Sequence, residues 1–396
     1  MDTSSRAVLP VLPCLLLQSV YLATLIALQL RWSARLAAFL VYTCLLVLAL
    51  LATVANPRRN YLMGCVLMQH YFTAFHLLWL AGPLRELRHE RDSVPADKLP
   101  FWRRVGWVLC VFYSVRGIGW NYQIANTPPR SSAPRWKFVR RQLANACLWY
   151  LLSDFAKAWQ VSDYLFPSQQ DVGALRPGGY VQRWLSIVAV SSSSVGLLGM
   201  AYSVAAGVAV GLGWSLPGEW PDVYGAWADT YTVRRFWGRK HHQIVRRFAA
   251  SIGKASCRLV SLPPGSWASS NTQLYVGFAV SGLMHCGGDF MVNRSDFGAS
   301  FPFFIAQAVA ISLEDAVIDL FTKADVRLPG RVERCLGYAW VFVWLSFSMP
   351  WYVGWAVKAG AIDVKKLPFS PVTILVDSAG IDLVQTVKYM TGSRGY

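Results

Sequence analysis

The chain has 396 residues, of which 54% are hydrophobic and only 15% charged, and its formal net charge is +17. That length could hold two or three soluble domains, but so apolar a composition excludes ordinary soluble packing and marks an integral membrane protein. The positive charge is spread over loops between hydrophobic runs, which excludes a nucleic-acid-binding protein.

Runs close to the roughly 20 residues that an α-helix needs to cross a bilayer recur along the chain. The first three are Ala7 to Leu30, Ala34 to Ala55 and Tyr61 to Pro83. Arg6 ahead of the first imitates a signal peptide, but the apolar run is too long and no small-residue cleavage site follows, so a retained anchor is expected. Shorter or interrupted segments follow over Val105 to Trp120, Gln142 to Trp159, Tyr180 to Trp214, Leu274 to Met291, Phe301 to Phe321 and Leu336 to Val357. The run ending at Trp214 is long enough for two close-packed helices broken near Gly196 and Gly199. The expected fold is therefore all-α, a polytopic transmembrane bundle of about eight to ten spans. With no polar linker and no repeat, it reads as one membrane domain over 1–396: anchor helices over 1–105, a core over 106–360 and a tail over 361–396.

Basic loops at Arg130 to Arg141 and Arg234 to Arg258 suit anionic headgroups on the cytoplasmic side, so membrane lipids are expected partners. The eight cysteines fall mostly in apolar runs without a CxxC pair, which predicts buried thiols rather than disulfides or a metal site.

Polar groups inside a span are costly and face the bundle interior, so each is a functional candidate. In "LYVGFAVSGLMHCGGDF", Gly277, Ser281, His285 and Asp289 recur every four residues and form one slanting stripe of small and polar groups on a helix. There Asp289 is placed to orient the His285 imidazole; the plainer alternative is a histidine satisfied by a backbone carbonyl. "TVRRFWGRKHHQIVRRF" interleaves arginines and a lysine with large apolar residues, as an amphipathic helix at the membrane surface does. The pair His241 and His242 interrupts that pattern. In "ISLEDAVIDLF", Glu314, Asp315 and Asp319 either mark a helix end at the interface or, for Glu314, pair with an arginine inside the bundle.

Several motifs then coincide. "FWGRKHHQ" followed some forty residues on by "SGLMH", with "RGIGWNYQIANTP" upstream and "FFIAQAVAISLED" downstream, resembles the wax-synthase-like branch of the membrane-bound O-acyltransferases, fungal natural-product type. The resemblance spans 110–355. It places His285 on the family's intramembrane catalytic histidine, His242 on the second polar position, and Glu314 on the acidic position. Trp237 lies within the motif itself, and His241 stands where the family has an aromatic. It implies an acyltransferase of the endoplasmic reticulum with no permanently bound cofactor. The expected co-substrate is an acyl-CoA, acetyl-CoA above others, received near Arg239 and Lys240. The other expected partner is a lipophilic alcohol, a terpenoid or polyketide-type secondary metabolite.

An alcohol attacking a thioester must lose its proton as it attacks, which an imidazole does at neutral pH; His285 is the candidate general base. His242 or Arg239 is the candidate donor to the tetrahedral oxyanion. An acyl-cysteine route through Cys286 is disfavoured, because helix neighbours point about 100° apart. The rivals are a membrane terpene cyclase or prenyltransferase, which lacks its DDxxD, and a proton-coupled transporter using His285, Asp289 and Glu314 as a relay.

Overall fold

The computed structural model describes residues 6–161, 179–241, 243–362 and 367–379. In chain order its helices are α1 (Val11–Ala27), α2 (Trp32–Leu51), α3 (Pro57–Phe75), α4 (Pro83–Glu86), α5 (Phe101–Tyr113), α6 (Arg135–Val161), α7 (Gly179–Gly211), α8 (Val233–Arg235), α9 (Arg246–Leu259), α10 (Trp267–Val292), α11 (Phe301–Lys323), α12 (Gly330–Lys358) and α13 (Pro371–Ser378). Among the described residues there is no strand, only two isolated bridges. By length and composition, α2, the Arg183–Gly211 part of α7 and the Arg294–Lys323 segment are long and apolar enough to cross a membrane. The other predicted runs lie on helices that are shorter or carry more polar residues.

Local chemistry explains where the helices start. Asn56 caps α3 by accepting from the Arg59 N–H at 3.1 Å, with Pro57 in the first turn. Ser266 caps α10 in the same way, accepting from Ser269 N–H at 3.1 Å.

Three expectations are corrected. The run over 105–120 leaves the helix at Tyr113, because Gly117 and Gly119 take φ of 62° and 81° and turn the "RGIGWNYQ" stretch into a loop. The basic residues from Arg135 onward form the first turns of α6 rather than a loop. Within the run that ends at Trp214, Gly179–Gly211 is one continuous helix of 33 residues. Its glycines do not break it, since a helical glycine costs only about 1 kcal/mol. They seat it against α6: a Cβ on Gly196 would lie 2.2 Å from Ser153 Oγ, and one on Gly199 would lie 2.7 Å from the Trp149 ring.

The chain groups into two compact units, Met1–Thr127 with Trp227–Tyr338, and Pro128–Ala226 with Ala339–Tyr396. In the second, α6 packs along α7, and Asp154 of α6 accepts from the Val372 N–H at the start of α13 at 2.9 Å. In the first, α10 packs between α3, α9 and α11. Every described residue of the expected site belongs to this first unit.

Candidate active site

The α3–α10 crossing is made of main chain. A Cβ on Gly64 would stand 2.1 Å from the Gly287 carbonyl oxygen, and one on Gly288 would stand 2.7 Å from the Tyr61 ring. On the other side of α10, a Cβ on Gly282 would stand 2.8 Å from the Phe301 ring. Small residues thus let two neighbours close on α10 around His285. Gly277, expected to serve that purpose, has open space instead.

His285 occupies the gap so formed. Its Nδ1 lies 2.6 Å from the Tyr61 hydroxyl and 3.6 Å from the Cys65 Sγ, both from α3. The Tyr61 hydroxyl and the Cys65 thiol also bond to each other. The imidazole stacks on Phe304 of α11 with centroids 4.5 Å apart and planes 19° from parallel. Asp289 does not orient the ring as expected. Its fully buried carboxylate accepts from the Ser300 backbone N–H at 2.9 Å and the Ser300 hydroxyl at 2.5 Å, tying the end of α10 to the start of α11.

The "FWGRKHHQ" segment is not the continuous amphipathic helix expected over 232–248. It has one turn of α8, a π-helical turn over Phe236–Lys240, extended backbone at His241 with ψ of 158°, and only then α9. π turns of this kind are frequent at functional sites. The interruption holds because its loose polar groups are taken up. Glu314 accepts from the backbone N–H groups of Val233 at 2.6 Å and Arg234 at 3.2 Å, so it neither marks a helix end nor merely pairs with an arginine. Asp315 takes the Arg234 side chain. Gln243 donates to the carbonyls of Trp237 and His241, and Arg246 donates to that of Gly238. His241 is therefore off-helix. Its ring lies 5.0 Å from that of Trp237 and stacks on Phe236. His242 itself lies outside the described residues.

One face of α11 joins these parts. Phe304 stacks on His285, Gln307 accepts from Trp237 Nε1 at 3.2 Å, and Glu314 holds Val233 and Arg234. Phe278 of α10, two turns before His285, packs edge-on to the same indole. Lys240 is buried, with Nζ 4.2 Å over the Trp227 ring, and burial pushes its pKa down. Arg239 lies 3.9 Å from Asp229 and is partly exposed.

Sequence reasoning missed Tyr61, Cys65, Phe304 and Gln307. A tyrosine and a cysteine in an apolar run read as core; the trace they left is Gly64 between them, facing the Gly287–Gly288 pair. All eight cysteines are free thiols, but the expectation that they are buried holds fully only for Cys257 and Cys286: Cys14 and Cys65 are half-buried, and Cys44, Cys110, Cys147 and Cys335 are exposed on the chain.

The chemistry this arrangement suits is proton transfer by a held imidazole. A family model described as "Membrane bound O-acyl transferase family" matches residues 220–306, a stretch containing Trp237, Arg239, Lys240 and His285. The acetyltransferase eriL of Hericium erinaceus is 30% identical over 298 residues, 74% of this chain and 76% of the relative. The acetyltransferase ple2 of Rhodocybe pseudopiperita is 33% identical over 291 residues, 71% of this chain and 74% of the relative. The O-Mevalon transferase yanI of Aspergillus niger is 29% identical, covering 67% of this chain and 64% of the relative. No solved structure matches the chain. The protein is thus an acyltransferase, and the chain belongs to the membrane-bound O-acyl transferase family.

Proposed function

We propose that the protein transfers an acetyl group from acetyl-CoA to a hydroxyl of a lipophilic secondary metabolite at the endoplasmic reticulum membrane, with His285 as general base. The observation that carries the reading is the 2.6 Å contact between His285 Nδ1 and the Tyr61 hydroxyl. With Nδ1–H donated to the Tyr61 oxygen, and the Tyr61 O–H turned to Cys65, Nε2 keeps the lone pair that accepts the substrate proton. The alcohol oxygen attacks the thioester carbonyl as its proton passes to Nε2. The tetrahedral intermediate collapses, the C–S bond breaks, and the imidazolium returns the proton to sulfur, giving ester and free coenzyme A. His242 and Arg239 are assigned to the oxyanion, and Arg239 and Lys240 to the donor's anionic end. Trp237 and Glu314 hold that segment in place.

The names of eriL and ple2 favour acetyl as the group moved, while yanI is named for a different transfer. Membership of an acyltransferase family displaces the cyclase and transporter readings. The test is to incubate membranes carrying the chain with labelled acetyl-CoA and an alcohol-rich extract of the source organism. Label is expected in an ester product, and its absence there with free label released only as acetate would overturn the reading.

A further inference from the structure

The "RGIGWNYQ" loop and the first turn of α9 meet at Arg247, which the reaction above does not use. Arg247 is 8% exposed, its guanidinium carbon lies 3.7 Å over the Tyr122 ring, and Nη1 donates to the Val111 carbonyl at 2.9 Å. Its Nε and Nη2 are buried and make no well-aligned hydrogen bond, the Tyr122 phenol being the polar side chain beside the guanidinium. Among the described residues no acidic side chain pairs with it, and it is the arginine with two such nitrogens. A buried cation without a counter-charge is strongly destabilising, and arginine does not shed its proton to escape.

The helix makes the imbalance larger. The first turn of α9, a helix of 14 residues, holds Arg246 and Arg247, contains no acidic residue and has no side-chain cap at Val245. Positive side chains at the positive end of a helix oppose its dipole, and of its first backbone N–H groups that of Arg246 already donates to the Gln243 carbonyl at 3.4 Å. Nε–H and Nη2–H lie on one edge of the planar guanidinium, the fork that matches two oxygens of a phosphate. Arg246, next along, already has Nη1 on Gly238 and Gln243.

From this we infer that the Nε–Nη2 edge of Arg247 binds a phosphate oxyanion, and that the phosphate is that of the coenzyme A thioester. The identity of the donor rests on the function proposed above; the oxyanion site does not. Tyr122 is then a platform under the guanidinium, which gives the "RGIGWNYQ" motif a role. A phosphate of a lipid headgroup offers the same chemistry and is the source to be distinguished.

The test is binding by the full chain in phosphatidylcholine nanodiscs, read as thermal stabilisation on titration and therefore independent of turnover. Coenzyme A and pyrophosphate are expected to stabilise and to compete, and pantetheine, which carries no phosphate, is not. Arg247→Met should weaken coenzyme A binding by about tenfold to a hundredfold, the loss expected for hydrogen bonds to a charged group. Arg247→Lys keeps the charge, guards against misfolding, and should still bind more weakly than the native chain because the fork is gone. Equal coenzyme A affinity in the native, Met and Lys forms overturns the inference. Stabilisation by phosphatidylglycerol that Arg247→Met abolishes, with no response to coenzyme A, overturns the donor assignment and makes the phosphate a lipid's. If coenzyme A binds through Arg247 but no acetyl ester forms, the function proposed above fails while the site stands.

Discussion

In the proposed mechanism the Tyr61 hydroxyl, 2.6 Å from His285 Nδ1, decides which nitrogen of the imidazole carries the proton at rest. Replacing His285 with alanine should lower turnover by at least about a hundredfold, the contribution of a positioned general base, while insertion into membranes is unchanged on fractionation. Tyr61→Phe keeps the ring beside Gly288 and removes the hydroxyl; kcat should fall about tenfold, as for loss of one hydrogen bond, with the KM of both substrates held. A rise in KM with kcat intact would place Tyr61 in substrate binding instead. His241 packs against Phe236 and Trp237 as an aromatic would, so His241→Phe should retain activity in the same assay. His285 was legible in the sequence because an ionisable group in an apolar run stands out. Tyr61 and Cys65 were not, since both are ordinary core residues and their partner lies 220 or more positions away.

At the scale of elements, the α3–α10 crossing has no room for a side chain. Gly64→Ala sets a methyl 2.1 Å from a backbone oxygen, so a loss of about 1–3 kcal/mol from overpacking is expected, seen as a lower unfolding temperature together with lost activity. Gly277→Ala, on the same helix as Gly287 but in open space, should keep native activity and unfold no lower than the native chain, since alanine is the better helix former by about 1 kcal/mol. Glu314→Gln keeps the shape but turns one of the two acceptor oxygens into a donor facing a backbone N–H, so one of the bonds from Val233 and Arg234 is lost; turnover should fall with the fold preserved by circular dichroism. Helices were legible from apolar run length. Their ends and breaks were not. The length of 180–214 suggested two helices because the glycines that fit α6 look in sequence like glycines that end a helix. The break at His241 depends on Glu314, Gln243 and Arg246, none of which hydropathy registers.

For the whole molecule, a net charge of +17 acts on the polyanionic donor proposed above and leaves the proposed neutral alcohol untouched. Raising ionic strength from about 50 mM to several hundred should therefore lower kcat/KM for acyl-CoA and leave that for the acceptor nearly constant, because screening shortens the reach of the field to under about 10 Å. Arg239→Gln should raise the KM for acyl-CoA more than that for the alcohol in initial-rate kinetics; equal changes would make it a structural residue. The membrane character and the all-helical fold were readable from composition, whereas the membership of α3 in the site was not, since it sits among helices that look like anchors. The crossing of α3 on α10 also bears on how such an enzyme acquires new acceptors. Contact between main chains offers no side chain to exchange, so a mutant library spread over Gly64, Gly287 and Gly288 samples mostly dead clones. Diversity confined to the walls that the substrate meets leaves this bearing undisturbed and concentrates the survivors.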